Sequence, residues 1–449
     1  MTAATPETIR SDPAVMKRVL TLWGLFVFGL VSMAPVAAFT MFGFVSTTAD
    51  GAIIPAYLLG SLGVMLTAFS FAQMASVAAQ SGSVYGYAKF AMGGGIGFLG
   101  GWAMLLDYML LGSLTAVYGA LYLASAWPQV PEMAFLIAFF AVLLASGIRG
   151  VTLSSKFDIG ILLAQLGLCL VFVTLAFGII WTDGAATAST NNLVPAGATA
   201  AAIMGGASLA VISFLGFDAI STLAEEVKGD HPGQRIGRAT VLSVAAMLVV
   251  FVLISWLLSI LATGLTLTDP ATSAFDILAA RLPLLATPLA VICGLAGGIG
   301  ASQACHTGAT RLVFAMARDG RLPAAVSGIN PFFRTPIAAM LLTLAVIVVI
   351  STVALDHTDV LAGLVSFGAL SGFLLVNLSV LVHFGIRQRS RALLGHWIAP
   401  ILGIVVVLYI IAGINTLALK LGLGWMFAGL IIFWLHRSSA ARIEGRTTT

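Results

Sequence analysis

The chain has 449 residues, of which 60% are hydrophobic and only 8% are charged, and its formal net charge is +4. Soluble domains carry about 25% charged residues, so this composition excludes a soluble enzyme or a soluble binding domain. The basic residues are scattered over short polar connections, which is typical of membrane topology signals and argues against a nucleic-acid partner.

Apolar runs of about 20 residues, the length that crosses a bilayer as a helix, recur along the whole chain. We predict an all-α membrane protein with a single transmembrane domain over residues 1–449, because no soluble domain fits between the runs. About twelve spans are expected, near residues 20–46, 53–78, 95–125, 132–148, 157–181, 202–224, 239–265, 284–314, 337–355, 359–384, 396–417 and 421–436.

The distribution of basic residues predicts the orientation of these spans. If the N-terminus is cytoplasmic, nineteen Lys and Arg residues fall on the cytoplasmic side, and only Arg281 and Lys420 fall outside. Such an excess follows the positive-inside rule. We therefore expect a multi-pass protein of the cell inner (plasma) membrane, surrounded by the lipid bilayer, with both termini in the cytoplasm.

Helix breakers occur at corresponding places in spans 1 and 6, five spans apart. Span 1 carries Ser-Met-Ala-Pro at residues 32–35, and span 6 carries Ser-Phe-Leu-Gly-Phe-Asp at residues 213–218. Matched breaks predict two five-helix halves of opposite orientation, with the freed backbone groups facing a binding site. The alternative is that Pro35 and Gly216 are ordinary kinks in packed helices.

Five stretches of the sequence carry a family resemblance, and they are distributed over nearly the whole chain. They comprise Ser81–Tyr85, Gly101–Tyr108, Phe214–Glu226, Arg311–Pro336 and Phe367–Asn377. On these stretches the chain resembles the amino acid–polyamine–organocation superfamily of permeases. The strings Leu-Leu-Asp-Tyr and Phe-Leu-Gly-Phe-Asp are most similar to those of bacterial putrescine importers of the proton-coupled kind.

The resemblance implies a LeuT-like fold, with a 5+5 inverted repeat, broken helices 1 and 6, and two peripheral helices. The first repeat would cover about residues 20–181, the second about 202–384, and the peripheral helices about 396–436. It also implies alternating access to a substrate site between spans 1, 3, 6, 8 and 10.

Asp107 and Tyr108 lie deep inside span 3. A carboxylate at that depth is costly unless it is paired or hydrated, so Asp107 is a candidate for binding a substrate ammonium or carrying a proton. The alternative is a structural carboxylate that contacts a neighbouring helix. Tyr108 can offer its ring and hydroxyl to a cation. Because neighbouring helical residues point about 100° apart, the two side chains cannot both face the same point of the cavity, and the choice between them stays open. We favour Tyr108 as the cavity-lining residue, because the importer-like string carries it and an amine substrate needs an aromatic wall.

The break in span 6 contributes Ser213, Gly216 and Asp218 as candidate substrate-binding residues. Asp218 directly follows the break, where its carboxylate would meet the cavity and could take part in proton coupling together with Asp107. The alternative for Asp218 is a helix cap, since Asp is favoured at that position. The two roles are compatible.

The break in span 1 contributes Ser32, Met33 and Ala34 as candidate substrate-binding residues. Amino-acid transporters of the superfamily usually have a glycine-rich break here, whose free amides hold the substrate carboxylate. In this chain Pro35 has no N–H at all, although the amides of Met33 and Ala34 remain available. The poorer carboxylate site and the two mid-membrane acids favour a substrate with amines and without a carboxylate.

Two further positions concern coupling and gating. Some proton-coupled relatives carry a lysine where this chain has Gln165, so an acid must carry protons if protons drive transport; sodium coupling stays open. Glu225 and Glu226 at the end of span 6 are candidates for a cytoplasmic gate of salt bridges with Arg311 or Lys156. Solvated loop charges are the alternative for both glutamates.

Together these residues predict a secondary active transporter that imports a small organic cation, such as putrescine or a related polyamine, by proton symport. The alternative within the class is an amino-acid permease or amino-acid/amine exchanger. A membrane enzyme would need a catalytic cluster, and a transporter-like sensor would usually carry a signalling domain. No metal-ligand spacing, phosphate loop or haem signature occurs in the sequence, so no cofactor is expected.

Overall fold

Each predicted span coincides with helix in the computed structural model. The structure describes residues 20–78, 84–149, 155–182, 195, 197–229, 231–267, 269–330, 332, 335–353 and 358–447. The side chains of residues 149, 155–158, 222, 224–226 and 436–447 lie outside this description. No strand occurs in the described ranges, as expected for a bundle in lipid, where helices satisfy their own backbone hydrogen bonds.

The described chain forms sixteen α-helices. The first seven, in chain order, are α1 (Leu22–Met33), α2 (Ala37–Thr48), α3 (Ile53–Val77), α4 (Val84–Met92), α5 (Gly94–Ala126), α6 (Glu132–Arg149) and α7 (Ser155–Thr182). The others are α8 (Ala200–Ala210), α9 (Pro232–Leu261), α10 (Ser273–Arg281), α11 (Pro283–Leu295), α12 (Ser302–Arg318), α13 (Ile337–Val353), α14 (Thr358–Val380), α15 (Ala399–Ile411) and α16 (Thr416–Thr447).

Membrane-crossing helices account for the twelve predicted spans. Eight helices are long and apolar enough to cross a membrane, and the bent pair α1–α2 makes nine. Shorter apolar helices occur at Glu132–Ile148, Ala200–Phe214 and Ile337–Val353, where spans 4, 6 and 9 were expected. A π-helical turn at Ala296–Ala301 joins α11 to α12 within one span.

Burial separates central from peripheral spans. In the most apolar stretch of α5, and likewise of α14 with its continuation to Arg387, 67% of the residues are buried. The corresponding share is 22% for the span that includes α15 and 17% for α16. The last two helices therefore lie at the periphery, and α5, which carries Asp107 and Tyr108, lies at the centre.

The first helix break is confirmed between α1 and α2, which are bent by 48°. Ala34 at the end of α1 has a positive φ of 51°, a conformation that residues other than glycine rarely adopt. Pro35 follows it and has no N–H with which to continue the helix. The sequence therefore ends α1 at Met33 and restarts the helix at Ala37.

The second break is confirmed in span 6. A 3₁₀ turn, Val211–Phe214, ends the first half, and a second helical segment covers Phe217–Glu226. Between them Gly216 has a φ of 105°, which glycine adopts without strain. A Cβ atom at Gly216 would lie 2.5 Å from the Ser32 carbonyl oxygen, so the two breaks are in direct contact.

Two short helices, α4 and α10, were not predicted. Each has nine residues, too few to cross a membrane or to be stable alone. Their stability comes from packing: α4 lies against α5 so closely that a Cβ at Gly97 would meet Lys89 at 2.7 Å, and α10 packs against α2 and α11.

Candidate functional site

Tyr108 and Asp218 meet in the middle of the bundle. The Tyr108 hydroxyl donates a hydrogen bond of 2.7 Å to Oδ2 of Asp218. Tyr108 lies about halfway along α5, and Asp218 is the second residue of the segment that follows the span 6 break. Both residues were predicted from the sequence to be site residues, and the fold brings them into contact although 110 positions separate them.

Helix α12 supplies the surface next to this pair. A Cβ atom at Gly308 would lie 3.3 Å from Cδ2 and Cε2 of the Tyr108 ring, so glycine lets the ring approach the α12 backbone. Cys305 lies about one turn earlier on α12 and is buried. It is close enough to Asp107 and Asp218 to interact with them electrostatically. The pair therefore lies where spans 3, 6 and 8 meet.

The carboxylate of Asp218 has hydrogen-bond donors around it but no basic partner among the described residues. Asp218 is only 6% exposed, and the backbone groups of Gly216 and Ala219 interact with its carboxylate in addition to Tyr108. Among the described residues, no Lys or Arg forms an ion pair with it. The N-cap of this segment is Gly216 and no side-chain capping bond is made there, so the capping alternative for Asp218 is wrong: Asp218 lies one residue inside the first turn.

Asp107 lies beside Asp218 in a different environment. It is 2% exposed, and its Oδ1 has no hydrogen-bond partner. The α5 backbone at Asp107 packs against Gly368 of α14, where a Cβ atom would lie 2.8 Å from the Asp107 nitrogen. The charges of Asp107 and Asp218 are close enough to interact. Of the two neighbouring residues on α5, Tyr108 is thus the one that reaches Asp218.

The candidate residues of span 1, Ser32, Met33 and Ala34, lie at the end of α1, and two of their polar groups are used within that helix. The Ser32 hydroxyl donates to the Phe28 carbonyl at 2.9 Å, and the Met33 side chain is buried. The Ala34 N–H donates to the Leu30 carbonyl at 3.1 Å. The expectation that the Ala34 amide remains available to a ligand is therefore wrong, because the last turn of α1 uses it.

Two amides at the start of α2 are also used within the chain. Ala37 N–H donates to the Ala34 carbonyl at 2.8 Å, and Phe39 N–H donates to the Val36 carbonyl at 3.0 Å. A helix N-terminus binds anions through free amides. The amides of Ala37 and Phe39 are therefore not available to a carboxylate at this helix start.

The Ser213 side chain contacts Tyr57 of α3. Its hydroxyl lies 3.1 Å from the hydroxyl of Tyr57 in α3, and both side chains are buried. This contact holds the end of the first half of span 6 against span 2. The Ser213 side chain therefore stabilises the break through its hydrogen bond with Tyr57.

Of the residues predicted to form the cytoplasmic gate with Glu225 and Glu226, the structure describes the side chain of Arg311. The side chains of Glu225 and Glu226 lie outside the described residues, so their pairing with Arg311 stays a prediction. Arg311 is exposed on α12 and takes part in no ion pair within the part of the chain that the structure describes.

An unpredicted cluster, formed by Tyr85, Lys89 and Asp319, lies where the chain leaves α12. The Lys89 ammonium is 2.6 Å from Oδ2 of Asp319, and the Tyr85 hydroxyl donates to the same oxygen. Both Tyr85 and Asp319 belong to the stretches that carried the family resemblance, which was the available signal. Burial alone would raise the pKa of Asp319, but hydrogen bonds from Lys89 and Tyr85 lower it below its usual value.

Comparison with known proteins assigns this architecture to a family. A family profile described as amino acid permease matches residues 20–435. The chain belongs to the amino acid permease family. This permease is 30% identical to the low-affinity putrescine importer PlaP of Escherichia coli (strain K12), over 95% of the chain and 94% of that protein.

Other relatives of the permease have different substrates in their names. A methylthioribose transporter of Bacillus subtilis (strain 168) is 26% identical over 95% of each protein. The branched-chain amino acid permease BcaP of the same organism is 24% identical over 96% of this chain and 95% of its own length. The relatives are transporters, so the permease is a multi-pass membrane transporter and not an enzyme, with the LeuT-like fold of about twelve spans.

Proposed function

We propose that this permease imports a small organic cation, putrescine or a related polyamine, by proton symport. The observation that carries the proposal is the buried Asp218 carboxylate, to which Tyr108 donates a hydrogen bond and to which no basic side chain of the described chain is paired. A substrate ammonium can bind the carboxylate and lie against the tyrosine ring. The resemblance to a putrescine importer supports the same substrate class.

The partial charges at the helix ends of the two breaks also favour a cation. Helix N-termini carry partial positive charge and C-termini partial negative charge. The amides of Ala37 and Phe39 at the start of α2 are hydrogen-bonded to nearby carbonyls, and the start of the segment Phe217–Glu226 interacts with Asp218. The C-terminal ends of α1 and of the turn Val211–Phe214 carry partial negative charge at the breaks, which favours ammonium groups.

The proposal includes an orientation and a division of the chain. Both termini are placed in the cytoplasm, which follows from the nineteen basic residues on that side. Two inverted repeats, about 20–181 and 202–384, would alternate access to the site around the contact between the two breaks. A cytoplasmic gate formed by Glu225, Glu226 and Arg311 remains part of the proposal.

The test is uptake of radiolabelled putrescine into proteoliposomes with an inward proton gradient, with unlabelled competitors. We expect accumulation that a protonophore abolishes and that diamines block, whereas amino acids do not. No putrescine flux, together with counterflow competed by amino acids alone, would replace the proposal with an amino-acid permease. The amino-acid alternative is favoured by the names of relatives such as BcaP, so both substrate classes belong in the first experiment.

A further inference from the structure

Two carboxylates occupy the candidate site, and their hydrogen-bond environments differ. Asp218 accepts a hydrogen bond from Tyr108 at 2.7 Å and interacts with the backbone at the start of its helical segment. Asp107 is buried to 2% exposure, and its Oδ1 has no hydrogen-bond partner. Asp218 thus has hydrogen-bond donors that stabilise a negative charge, whereas one oxygen of Asp107 is buried without any donor among the described residues.

The groups that face Asp107 reinforce this difference. From its own helix the neighbour is Tyr108, from span 6 it is Asp218, and from span 8 it is Cys305. From span 10 the α14 backbone at Gly368 packs against it. Each of these groups is neutral or negative, and within the described chain no Lys, Arg or His opposes Asp107.

A buried carboxylate without donors or a counter-charge is far more stable when it holds a proton. A carboxylate that accepts hydrogen bonds from a hydroxyl and backbone groups can stay ionised in the same cavity. We propose that Asp107 is the proton-carrying group of this permease, and that Asp218 stays ionised and binds the amine. This division of roles rests on the proposed function, since it assigns the coupling ion and the substrate of that transporter to different carboxylates.

The transport step then follows from access to water. When the site is open to the outside, Asp107 takes a proton from external water, and the site can close around the amine without burying a second negative charge. When the site opens to the cytoplasm, water reaches the Asp107 carboxyl group and the proton leaves to the cytoplasmic side. No covalent bond forms or breaks, and one proton moves inward with each amine.

The experiment compares Asp107→Asn with Asp218→Asn, two identical changes at neighbouring carboxylates. Asparagine mimics the protonated acid in shape, so the Asp107→Asn variant should retain putrescine counterflow within about threefold of the wild type, since amide and acid are nearly isosteric. Its accumulation under an imposed proton gradient should fall to the equilibration level. The Asp218→Asn variant should lose counterflow by about tenfold or more, because the charge that binds the ammonium is gone.

The pH profile of counterflow gives a second readout that needs no variant. Exchange requires the proton on Asp107, so wild-type counterflow should fall as the pH rises across about pH 5 to 9, where the substrate amines stay charged. Loss of the Asp218 charge by protonation would produce the opposite slope. The Asp107→Asn variant should show a flat profile on the alkaline side.

Three results would overturn the assignment. These are gradient-driven accumulation by Asp107→Asn, loss of counterflow in that variant when its size-exclusion profile matches the wild type, and a wild-type counterflow that does not fall with pH. If Asp107→Asn does not fold, the pH profile of wild-type counterflow still tests the assignment of the proton to Asp107. Absence of any amine flux in the wild-type permease would instead refute the proposed function, and the two failures are thereby distinguishable.

Discussion

Two tyrosine–aspartate pairs join distant parts of the chain, and only one of them includes a basic residue. In the membrane interior Tyr108 donates to Asp218; at the end of α12, Tyr85 donates to Asp319, and Lys89 lies 2.6 Å from the same carboxylate. In the cluster of Tyr85, Lys89 and Asp319, called the Asp319 cluster, the protein itself supplies the cation that pairs with the carboxylate. The Asp218 pair has a donor but no basic partner among the described residues, which suits it to a cation from outside the chain.

The two pairs also differ in their exposure to water. Asp218 is 6% exposed, whereas the side chains of Asp319 and Lys89 are 27% and 42% exposed. Exposed charges are screened by water and salt, so an ion pair between them contributes little. A charge in the interior is not screened in this way. The same substitution should therefore have a large effect at Asp218 and a small one at Asp319.

The largest effect is expected from Asp218→Asn with Asp319→Asn as its matched control. Asp218→Asn removes the interior negative charge, and we expect loss of concentrative amine uptake to the background of empty liposomes. Asp319→Asn should leave uptake within about threefold of the wild type, since exposed pairs contribute at most about 1 kcal/mol. The measurement is the initial rate of putrescine uptake at equal amounts of folded protein.

Equal losses in the two asparagine variants would contradict this comparison. They would mean that the Asp319 cluster is as necessary to transport as the interior pair. Wild-type accumulation by Asp218→Asn would remove Asp218 from the mechanism altogether.

An intermediate effect is expected from Tyr108→Phe, with Tyr85→Phe as control. The change keeps the ring and removes only the hydroxyl that donates to Asp218, and hydrogen bonds to charged groups contribute about 1.5–3 kcal/mol. We expect amine affinity to weaken about ten- to a hundredfold, with less than a threefold change for Tyr85→Phe. Competition binding with labelled putrescine measures both values, and unchanged affinity in Tyr108→Phe would return Tyr108 to a packing role.

The sequence was sufficient for the features that depend on local chemistry. Apolar length located the spans, and Pro35 and Gly216 located both breaks, because a missing N–H and a positive φ act on the chain where they occur. The short helices α4 and α10 were missed, since helices of nine residues depend on packing and not on their own periodicity.

Contacts between distant residues required the structure. Asp107 and Tyr108 are adjacent in sequence, but only the packing of α5 against α12 and α14 shows that Tyr108 reaches Asp218 whereas Oδ1 of Asp107 remains without a donor. The pair Lys89–Asp319 joins residues separated by 230 positions, and no spacing rule connects them. The use of the Ala34 amide within α1 likewise depends on how the helix ends.

The smallest effect is expected for the ion pair of the Asp319 cluster. A double-mutant cycle with Lys89→Met and Asp319→Asn should give a coupling free energy of about 0.2–1 kcal/mol in thermal unfolding, as for other exposed pairs. Added salt at about 1 M should reduce it, because the Debye length falls to about 3 Å.

The pH dependence of this coupling follows from the lowered pKa of Asp319, which its partners Lys89 and Tyr85 produce against the effect of burial. A carboxyl group whose pKa is lower in the folded state stabilises the fold above its unfolded pKa of about 3.9 and loses that contribution as the pH falls through the folded value. The coupling should therefore be constant from about pH 8 to 5 and decline only in stronger acid. A coupling that already declined between pH 7 and 5 would require another titrating group in the cluster, and would end the description of Asp319 as a structural ion pair.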